Sequence, residues 1–344
     1  MRRQLNTLYV TTDGAYLRKD GANIVMEVER QERVRVPVHM LESVVCIGRV
    51  AVSPQLLGHC SAQGISICYL TSQGRFLARV EGPASGNVLL RREQYRCSDD
   101  PAGCGAIVRN LLAGKIHNQR AVLSRGWRDH GERLGDSTRF QHALKRLNRI
   151  PRRVMQEEDV GVLRGLEGEA AQAYFGVFDQ LIRINSPLLR FGGRNRRPPR
   201  DAFNALLSFL YTLLTHDCRS ALETVGLDPA VGFLHRDRPG RPSLALDLAE
   251  EFRPLLGERL ALSLINRRQL NERDFQVFEN GAVQLKDDAR KTVLVAYQER
   301  KREQLHHTFL GEKLDIGLLP FVQAQLLARY LRGDLDGYPP FLWK

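Results

Sequence analysis

The spacing of apolar residues changes less than a third of the way along the chain, and this change constrains the fold more than any single motif. Up to about residue 90, short β-branched segments such as "VRVPV", "SVVCIG" and "ISICYL" follow one another, which is typical of strands. From about residue 106, as in "IVRNLLAGKIHNQRAVL", apolar residues recur with the period of a helix. The sequence predicts an α+β, two-domain protein, with a small N-terminal β-sheet domain (1–95) and a larger all-α C-terminal domain (96–344).

Turn and cap residues give the β part more detail. Asp13-Gly14 and Asp20-Gly21 lie between alternating segments and predict hairpin turns. Ser53 is a good helix N-cap, Pro54 suits the first helical position and Gly64 suits the end. We therefore expect one short helix among the strands.

Composition indicates in which cellular environment the protein works. The chain has 344 residues and 43% hydrophobic content, enough for a sizeable core. It contains no run of about 18 apolar residues, so we expect no membrane span. Its six cysteines form no C-x-x-C pair, a usage that favours reduced thiols. We expect a cytoplasmic protein.

Charge points to a polyanionic partner. Lys and Arg number 51 against 39 Asp and Glu, a net charge of +12, and Arg far outnumbers Lys. The guanidinium group binds two phosphate oxygens at once, which favours nucleic acid over a membrane surface. A soluble basic protein without such a partner is the plainer explanation. The Gly/Pro-punctuated loop "RFGGRNRRPPR" supplies candidate DNA contacts, unless its charges merely solvate it: Arg190, Arg194, Arg196, Arg197 and Arg200.

The segment "GLEGEAAQAYF" places Glu167 on the apolar face of a predicted helix. Glu169 points away from that face, which is shared by Leu163, Leu166, Ala170, Ala171 and Tyr174. A carboxylate among apolar residues must be paired, hydrogen-bonded or bound to a metal, because burial of an isolated charge is costly. Glu167 is therefore either a metal ligand or a structural residue paired with an Arg.

A second segment carries a histidine and three acids. His235 precedes a Gly/Pro loop and a predicted helix that begins at Ser243, and the acids on that helix are Asp247, Glu250 and Glu251. Helical periodicity does not choose between the two glutamates, and a solvated acidic face would also explain all three. A Glu–His–carboxylate set would suit Mg²⁺ or Mn²⁺. Zinc is less attractive without H-E-x-x-H or a cysteine-rich set.

Four ordered segments are similar to those of a known family: "RGLEGEAAQAYF", "RRPPRDAFNALLSFLYTLL", "GLDPAVGFLH" and "SLALDLAEEFRP". They resemble the CRISPR-associated integrase that inserts new spacers, the first of the universal CRISPR adaptation proteins. The upstream "GKIHNQRAVL" and "GISICYLTSQGRFLARVEGP" fit as well. The resemblance covers nearly the whole chain, and its details are most similar to the subtype I-C branch.

The resemblance implies an N-terminal β domain, a helical C-terminal domain and a homodimer that joins a small ferredoxin-like partner subunit. It implies metal ligands at Glu167 ("LEG"), His235 ("GFLH") and Glu250 ("DLxE"), and places Asp247 as an auxiliary acid beside them. Some relatives have Asp where Glu250 stands, and the longer side chain should still reach a metal.

The implied reaction is a transesterification, in which a DNA 3′-hydroxyl attacks a phosphodiester at the edge of a CRISPR repeat. Water as the nucleophile would give endonuclease activity, and branched DNA could be disintegrated. We therefore expect a metal-dependent integrase and endonuclease that acts on double-stranded and branched DNA, with Mg²⁺ or Mn²⁺. Two alternatives stay open: a non-catalytic architectural DNA-binding protein with structural carboxylates, and a phosphodiesterase acting on small or RNA substrates.

Overall fold

The computed structural model describes residues 7–41, 43–72, 76–80, 88–195 and 198–343. The strands are β1 (Thr7–Val10), β2 (Tyr16–Asp20), β3 (Asn23–Val28), β4 (Gln31–Pro37), β5 (Ser43–Ile47), β6 (Ala51–Val52), β7 (Ser66–Leu70), β8 (Phe76–Val80), β9 (Phe275–Val277), β10 (Val283–Leu285), β11 (Gln304–His307) and β12 (Glu312–Asp315). The helices are α1 (Pro54–Ala62), α2 (Val88–Asp99), α3 (Pro101–His130), α4 (Ser137–Gln156), α5 (Val160–Phe178), α6 (Ala202–Val225), α7 (Ser243–Glu250), α8 (Arg259–Asn266), α9 (Asp287–Arg302) and α10 (Leu319–Leu331).

This arrangement confirms the predicted fold class, a β-sheet region followed by a mostly helical one. Strands give way to helices at Val88, where α2 begins. Two short antiparallel hairpins, β9–β10 and β11–β12, interrupt the helical region. Their strands have three or four residues each, too few for an alternating pattern to stand out.

Two four-stranded sheets make up the N-terminal region. The first has the order β1-β5-β7-β8 and is parallel except for β8, and the second has the order β4-β3-β2-β6. Asp20-Gly21 forms the tight turn between β2 and β3 as predicted. The hairpin prediction for Asp13-Gly14 is wrong, because β1 and β2 belong to different sheets. That turn changes sheets instead, and the Asp13 carboxylate accepts a hydrogen bond from the Arg49 backbone N–H at 3.0 Å.

The first sheet is buried on both faces. Val44, Cys46 and Ile67 pack with the second sheet and α1, in a cluster that includes Leu17 and Leu56. The residues that alternate with them belong to the same core as the helices: Val45, Ile47, Cys68 and Leu70. This two-sided burial explains why "SVVCI" is continuously apolar after its first residue. The short helix α1 is capped by the Ser53 side chain and begins with Pro54, as predicted.

Three long helices, α3, α4 and α5, pack side by side and present their core faces to one cluster. The N-cap carboxylates of Asp100, Asp136 and Asp159 accept backbone N–H groups at the starts of these helices, which stabilises each first turn. The helix α6 begins at the same kind of cap, on Asp201. In the described residues, no helix is long and apolar enough to cross a membrane.

The partly buried His216 on α6 leads to a prediction about stability. Burial lowers the pKa of His216 to about 4, although the charge of Asp217 opposes the shift. Because the unfolded chain takes up a proton near pH 6.5 and the folded chain does not, the free energy of unfolding should fall as the pH drops from about 6.5 to about 4. The contribution is up to about 3 kcal/mol.

The matched comparison is His216→Gln against His306→Gln, since His306 is exposed on β11. Urea unfolding across this pH range should show a flatter dependence for His216→Gln and the wild-type dependence for His306→Gln. Equal pH dependence in His216→Gln and wild type would contradict the assignment.

Candidate metal centre

The face of α5 that carries Glu167 turns inward as predicted. Leu163, Leu166, Ala170 and Tyr174 on this helix are buried. The Glu167 side chain keeps 30% of its exposure and forms an ion pair with the Lys115 ammonium of α3. The predicted structural alternative named an Arg as the partner, whereas the structure shows a Lys.

Glu169 lies on the other side of α5. Its carboxylate pairs with Arg153 at 2.8 Å and with Arg146 at 3.4 Å, both from α4. The two glutamates of "GLEGEAAQAYF" therefore have different surroundings, one facing the helical core and one facing α4.

Asp247 organises the loop that carries His235. Its side chain is fully buried, and its two oxygens accept the backbone N–H groups of Phe233, Leu234 and His235 at 2.7, 3.0 and 2.9 Å. The His235 Nδ1 lies 2.5 Å from Asp247 Oδ1. A Cβ on Gly232 would lie 2.8 Å from Asp247 Oδ2, so this close approach needs glycine. Asp247 thereby fixes the ring and leaves Nε2 as the available nitrogen.

The structure distinguishes Glu250 from Glu251, which helical periodicity alone could not do. Glu250 lies 2.8 Å from the Lys115 ammonium and 4.0 Å from His235 Nε2, and it also pairs with Arg253. Glu251 points into another network, where it accepts hydrogen bonds from Tyr338 and from the Phe341 backbone N–H. Glu250 thus joins Glu167 and His235, while Glu251 anchors the C-terminal segment.

Lys115 is the centre of this constellation, because its ammonium touches both Glu167 and Glu250. Burial acts to lower the pKa of Lys115, and the two carboxylates outweigh it and raise that pKa above its usual value. Burial likewise acts to raise the pKa of Glu250, but the charges of Arg253 and Lys115 hold it well below its usual range. Lys115 and Glu250 are therefore both charged at neutral pH.

The donor chemistry fits a hard divalent cation. Glu167 and Glu250 both contact the Lys115 ammonium, and His235 Nε2 lies 4.0 Å from Glu250. Asp247 holds the far side of the ring, as carboxylates do behind metal-bound histidines. Glu250 Oε2 is buried and lies 2.8 Å from the Lys115 ammonium, so this oxygen already faces a positive charge.

Within the described residues, however, no three His, Cys, Asp or Glu side chains are already spaced to hold a metal ion. The Lys115 ammonium lies between the two carboxylates. A cation bound by Glu167 and Glu250 together would therefore take the place of this ammonium.

The comparison with known families decides the identity of the chain. The model of the family described as "CRISPR associated protein Cas1" matches residues 8–299. The chain belongs to the Cas1 family.

Close relatives of the chain are Cas1 proteins over their whole length. It is 60% identical over 347 residues to "CRISPR-associated endonuclease Cas1 2" of Rhodospirillum rubrum, and 54% identical over 344 residues to "CRISPR-associated endonuclease Cas1 1" of Chlorobaculum tepidum, with 100% of both chains covered in each case. A solved casposase bound to an integration product has the same fold, with a TM-score of 0.83 and 22% identity over 98% of this chain and 94% of that one.

Four residues of this candidate site were not identified as members of it from the sequence: Lys115, Tyr211, Arg253 and Glu258. Arg253 begins a π-helical turn (Arg253–Glu258) shortly after α7 ends at Glu250, and π-helical turns are frequent at functional sites. Its guanidinium stacks on the Tyr211 ring at 4.8 Å. Tyr211 donates a hydrogen bond to Glu258, and burial raises the pKa of Glu258 to about 7. The spacing of three residues between Glu250 and Arg253 was the available signal.

The arginines of the basic loop in this Cas1 chain have different surroundings. Arg190 is exposed and pairs with Asp179 at 2.9 Å. Arg194 is partly buried, donates to Asn204 Oδ1 at 2.7 Å and lies over the Tyr211 ring at 5.2 Å. Arg200 is exposed. Arg196 and Arg197 lie outside the described residues, and the DNA-contact role of the whole set stays a prediction.

The role of Asp247 can be measured without the reaction. In Asp247→Asn, either amide orientation places an NH₂ group against N–H donors, so the His235 ring should lose its fixed position. We expect the affinity for Mn²⁺ to fall about 10- to 100-fold, the usual cost of losing such a supporting group. Calorimetric titration of the folded variant measures it. Asp237→Asn is the control, because Asp237 is exposed on the same loop; equal affinities in both variants would contradict the role.

Proposed function

We propose that this Cas1 chain is a metal-dependent DNA integrase and endonuclease of CRISPR adaptation, which joins new spacer DNA to the array by transesterification. The observation that carries the proposal is that Glu167 and Glu250, from separate helices, both contact the buried Lys115 ammonium, and that His235 Nε2 lies 4.0 Å from Glu250. The names of the two close relatives support the nuclease part. The likeness to the casposase bound to an integration product adds an analogy at the level of the fold.

Glu167, Glu250 and His235 Nε2 would hold Mg²⁺ or Mn²⁺. When bound, such an ion supplies positive charge that offsets charge on a phosphodiester and lowers the pKa of an attacking hydroxyl or water. The chain's own residues do the rest of the work. Asp247 keeps His235 oriented, and Arg253 holds Glu250 in its charged form. Lys115, released from the carboxylates, becomes a free ammonium beside the site.

The proposed reaction conserves the number of phosphodiester bonds. The oxygen of a DNA 3′-hydroxyl forms a bond to phosphorus, the bond from phosphorus to the 3′-oxygen of the target strand breaks, and the attacking proton ends on the departing oxygen. With water in place of the hydroxyl, the same displacement is hydrolysis. Positioning and electrostatic stabilisation are sufficient for this chemistry, so no covalent protein intermediate is required.

The partners of this reaction are proposed from the same resemblance. Double-stranded and branched DNA are the substrates, a homodimer is the working unit, and a small ferredoxin-like subunit completes the assembly. We also propose the subtype I-C branch and a cytoplasmic location. The six thiols are all free, in agreement with a reducing compartment. An adjacent CRISPR array and small partner gene would test the assignment to this system.

A strand-transfer assay tests the proposed function. The protein is incubated with a 3′-hydroxyl donor DNA and a repeat-containing duplex, in Mn²⁺, in Mg²⁺ and in EDTA. Products should form with either metal and not in EDTA, and branched or duplex DNA should outcompete RNA. Undiminished product in EDTA would overturn the metal-dependent mechanism.

A non-catalytic DNA-binding protein is the second candidate. The ion pairs of Lys115 favour it, because they show that the carboxylates can be neutralised by the chain itself. This candidate expects salt-sensitive DNA binding without any metal-dependent change in the DNA. The same assay separates the two, since only the integrase forms joined strands.

A further inference from the structure

The solvent face of α4 carries a cluster of positively charged residues, none of which belongs to the proposed site. The helix has no Asp or Glu within it, and its cationic residues are Arg139, Lys145, Arg146, Arg149, Arg152 and Arg153. All six are exposed. We refer to these six residues as the α4 basic face.

Most of this charge has no acidic partner. Arg146 and Arg153 share the single carboxylate of Glu169. Among the described residues, Arg139, Lys145, Arg149 and Arg152 make no ion pair. At about 100° per residue, Lys145, Arg149 and Arg152 lie within about 60° of one another around the helix. Six like charges without acids repel one another, and an external polyanion would relieve that repulsion.

The opposite face of α4 is already occupied. Phe140, Leu147, Ile150 and Val154 are buried in the main core. An amphipathic helix that binds a membrane inserts its apolar face into the lipid, and α4 has no such face to spare. A partner recognised by charge alone, along a rod-like surface, is better matched by a nucleic-acid backbone.

The location of α4 connects this surface to the candidate metal centre. The helix packs along α5, and Glu169, two residues after Glu167, pairs with it. Residues two apart on a helix point in nearly opposite directions, and a helix is about 10–12 Å across. DNA that reaches both the candidate metal centre and the α4 basic face must extend at least about 10 Å, or about three base pairs, from the reacting phosphodiester.

We propose that the α4 basic face binds the phosphate backbone of the DNA substrate, beyond the base pairs next to the site of reaction. This inference rests on the proposed function for the identity of the DNA, but the binding surface is independent of the chemistry. It positions the substrate and takes no part in bond making.

The test uses Lys145→Gln/Arg149→Gln/Arg152→Gln, three exposed residues without ion pairs. The matched control removes three exposed charges from the second sheet (β4-β3-β2-β6) and its β3–β4 turn, Lys19→Gln/Arg30→Gln/Arg33→Gln. Anisotropy of a fluorescent branched duplex is measured in EDTA over a range of salt concentrations, so that neither metal nor reaction contributes. Each lost phosphate contact lowers the slope of log K against log[salt] by about 0.9, so we expect the α4 variant to lose about 2–3 from the slope and at least about tenfold in affinity.

A wild-type slope in the α4 variant, or equal losses in the two triple variants, would overturn the proposal. So would retained DNA binding with lost binding to phosphatidylserine vesicles, because the partner would then be a membrane. On duplexes with arms shorter than about three base pairs, the difference between wild type and the α4 variant should disappear. Failure of the proposed function shows itself separately, as strand transfer that persists in Glu167→Gln.

Discussion

Glu167→Gln should abolish strand transfer and leave DNA binding intact. The amide keeps the size of the side chain but removes the charge that would hold a divalent cation beside Glu250. Loss of one well-placed electrostatic contribution costs about 10²–10³ in rate, and we expect the upper end because the cation itself would be lost. Strand transfer with Mn²⁺ and anisotropy with the same DNA measure the two quantities.

The control for this variant lies two residues further along the same helix. Glu169→Gln removes the same charge from α5, but Glu169 faces Arg146 and Arg153 of α4 rather than Lys115. Its strand-transfer rate should stay within a few-fold of wild type. Full activity in Glu167→Gln, or an equal loss in Glu169→Gln, would show that Glu167 has no special role.

Lys115→Met should destabilise the protein strongly in EDTA and much less in Mn²⁺. The side chains of Lys115 and Glu250 keep only 7% and 4% of their exposure. Removal of one partner of a buried ion pair leaves an uncompensated charge and costs about 3–5 kcal/mol. A metal bound by the two carboxylates would replace the lost charge, and binding at 100 times the dissociation constant adds about 2.7 kcal/mol. Urea unfolding with and without Mn²⁺ measures the free energy of unfolding.

A second buried lysine provides the matched control. Lys301 pairs with Asp217 at 3.0 Å, and both are buried. Lys301→Met should lose comparable stability, but Mn²⁺ should restore no more than it adds to wild type. If Mn²⁺ fails to favour Lys115→Met over Lys301→Met, the ammonium of Lys115 does not hold the position that a metal would take.

The outline of the fold was predictable because it depends on periodicity. The change from alternating strands to helices, the Ser53 cap and the Asp20-Gly21 turn were all visible in the sequence and are confirmed. The Asp13-Gly14 turn was misassigned because an Asp-Gly turn specifies a reversal of the chain, not the strand that will pair next. Pairing of β1 with β5 is set by tertiary packing, which a local pattern does not contain.

The helix α4 shows a second limit of prediction from local sequence patterns. Its apolar residues recur at helical spacing, but Pro151 lies inside it, and proline normally argues against a helix interior. The helix persists because its apolar side is buried against α3 and α5. A local pattern interrupted by a proline does not predict this helix, and so it does not predict the charged face of the helix either.

The candidate site was partly predictable. Glu167 on an apolar face, and His235 ahead of three acids, could be found from the sequence, and the family resemblance favoured Glu250 over Glu251. The position of Lys115 between the carboxylates could not be found, because residues 52 apart along the chain meet there only through helix packing. Long-range charge pairing of this kind leaves no local signature.

Diffraction from crystals soaked in Mn²⁺, with data collected to reveal anomalous scattering, would show whether Glu167, His235 and Glu250 bind one divalent cation. We expect one anomalous peak about 2.0–2.3 Å from carboxylate oxygens of Glu167 and Glu250 and from His235 Nε2, with the Lys115 ammonium moved away from both carboxylates. A site without a peak, with Lys115 still between Glu167 and Glu250 at saturating Mn²⁺, would contradict this expectation.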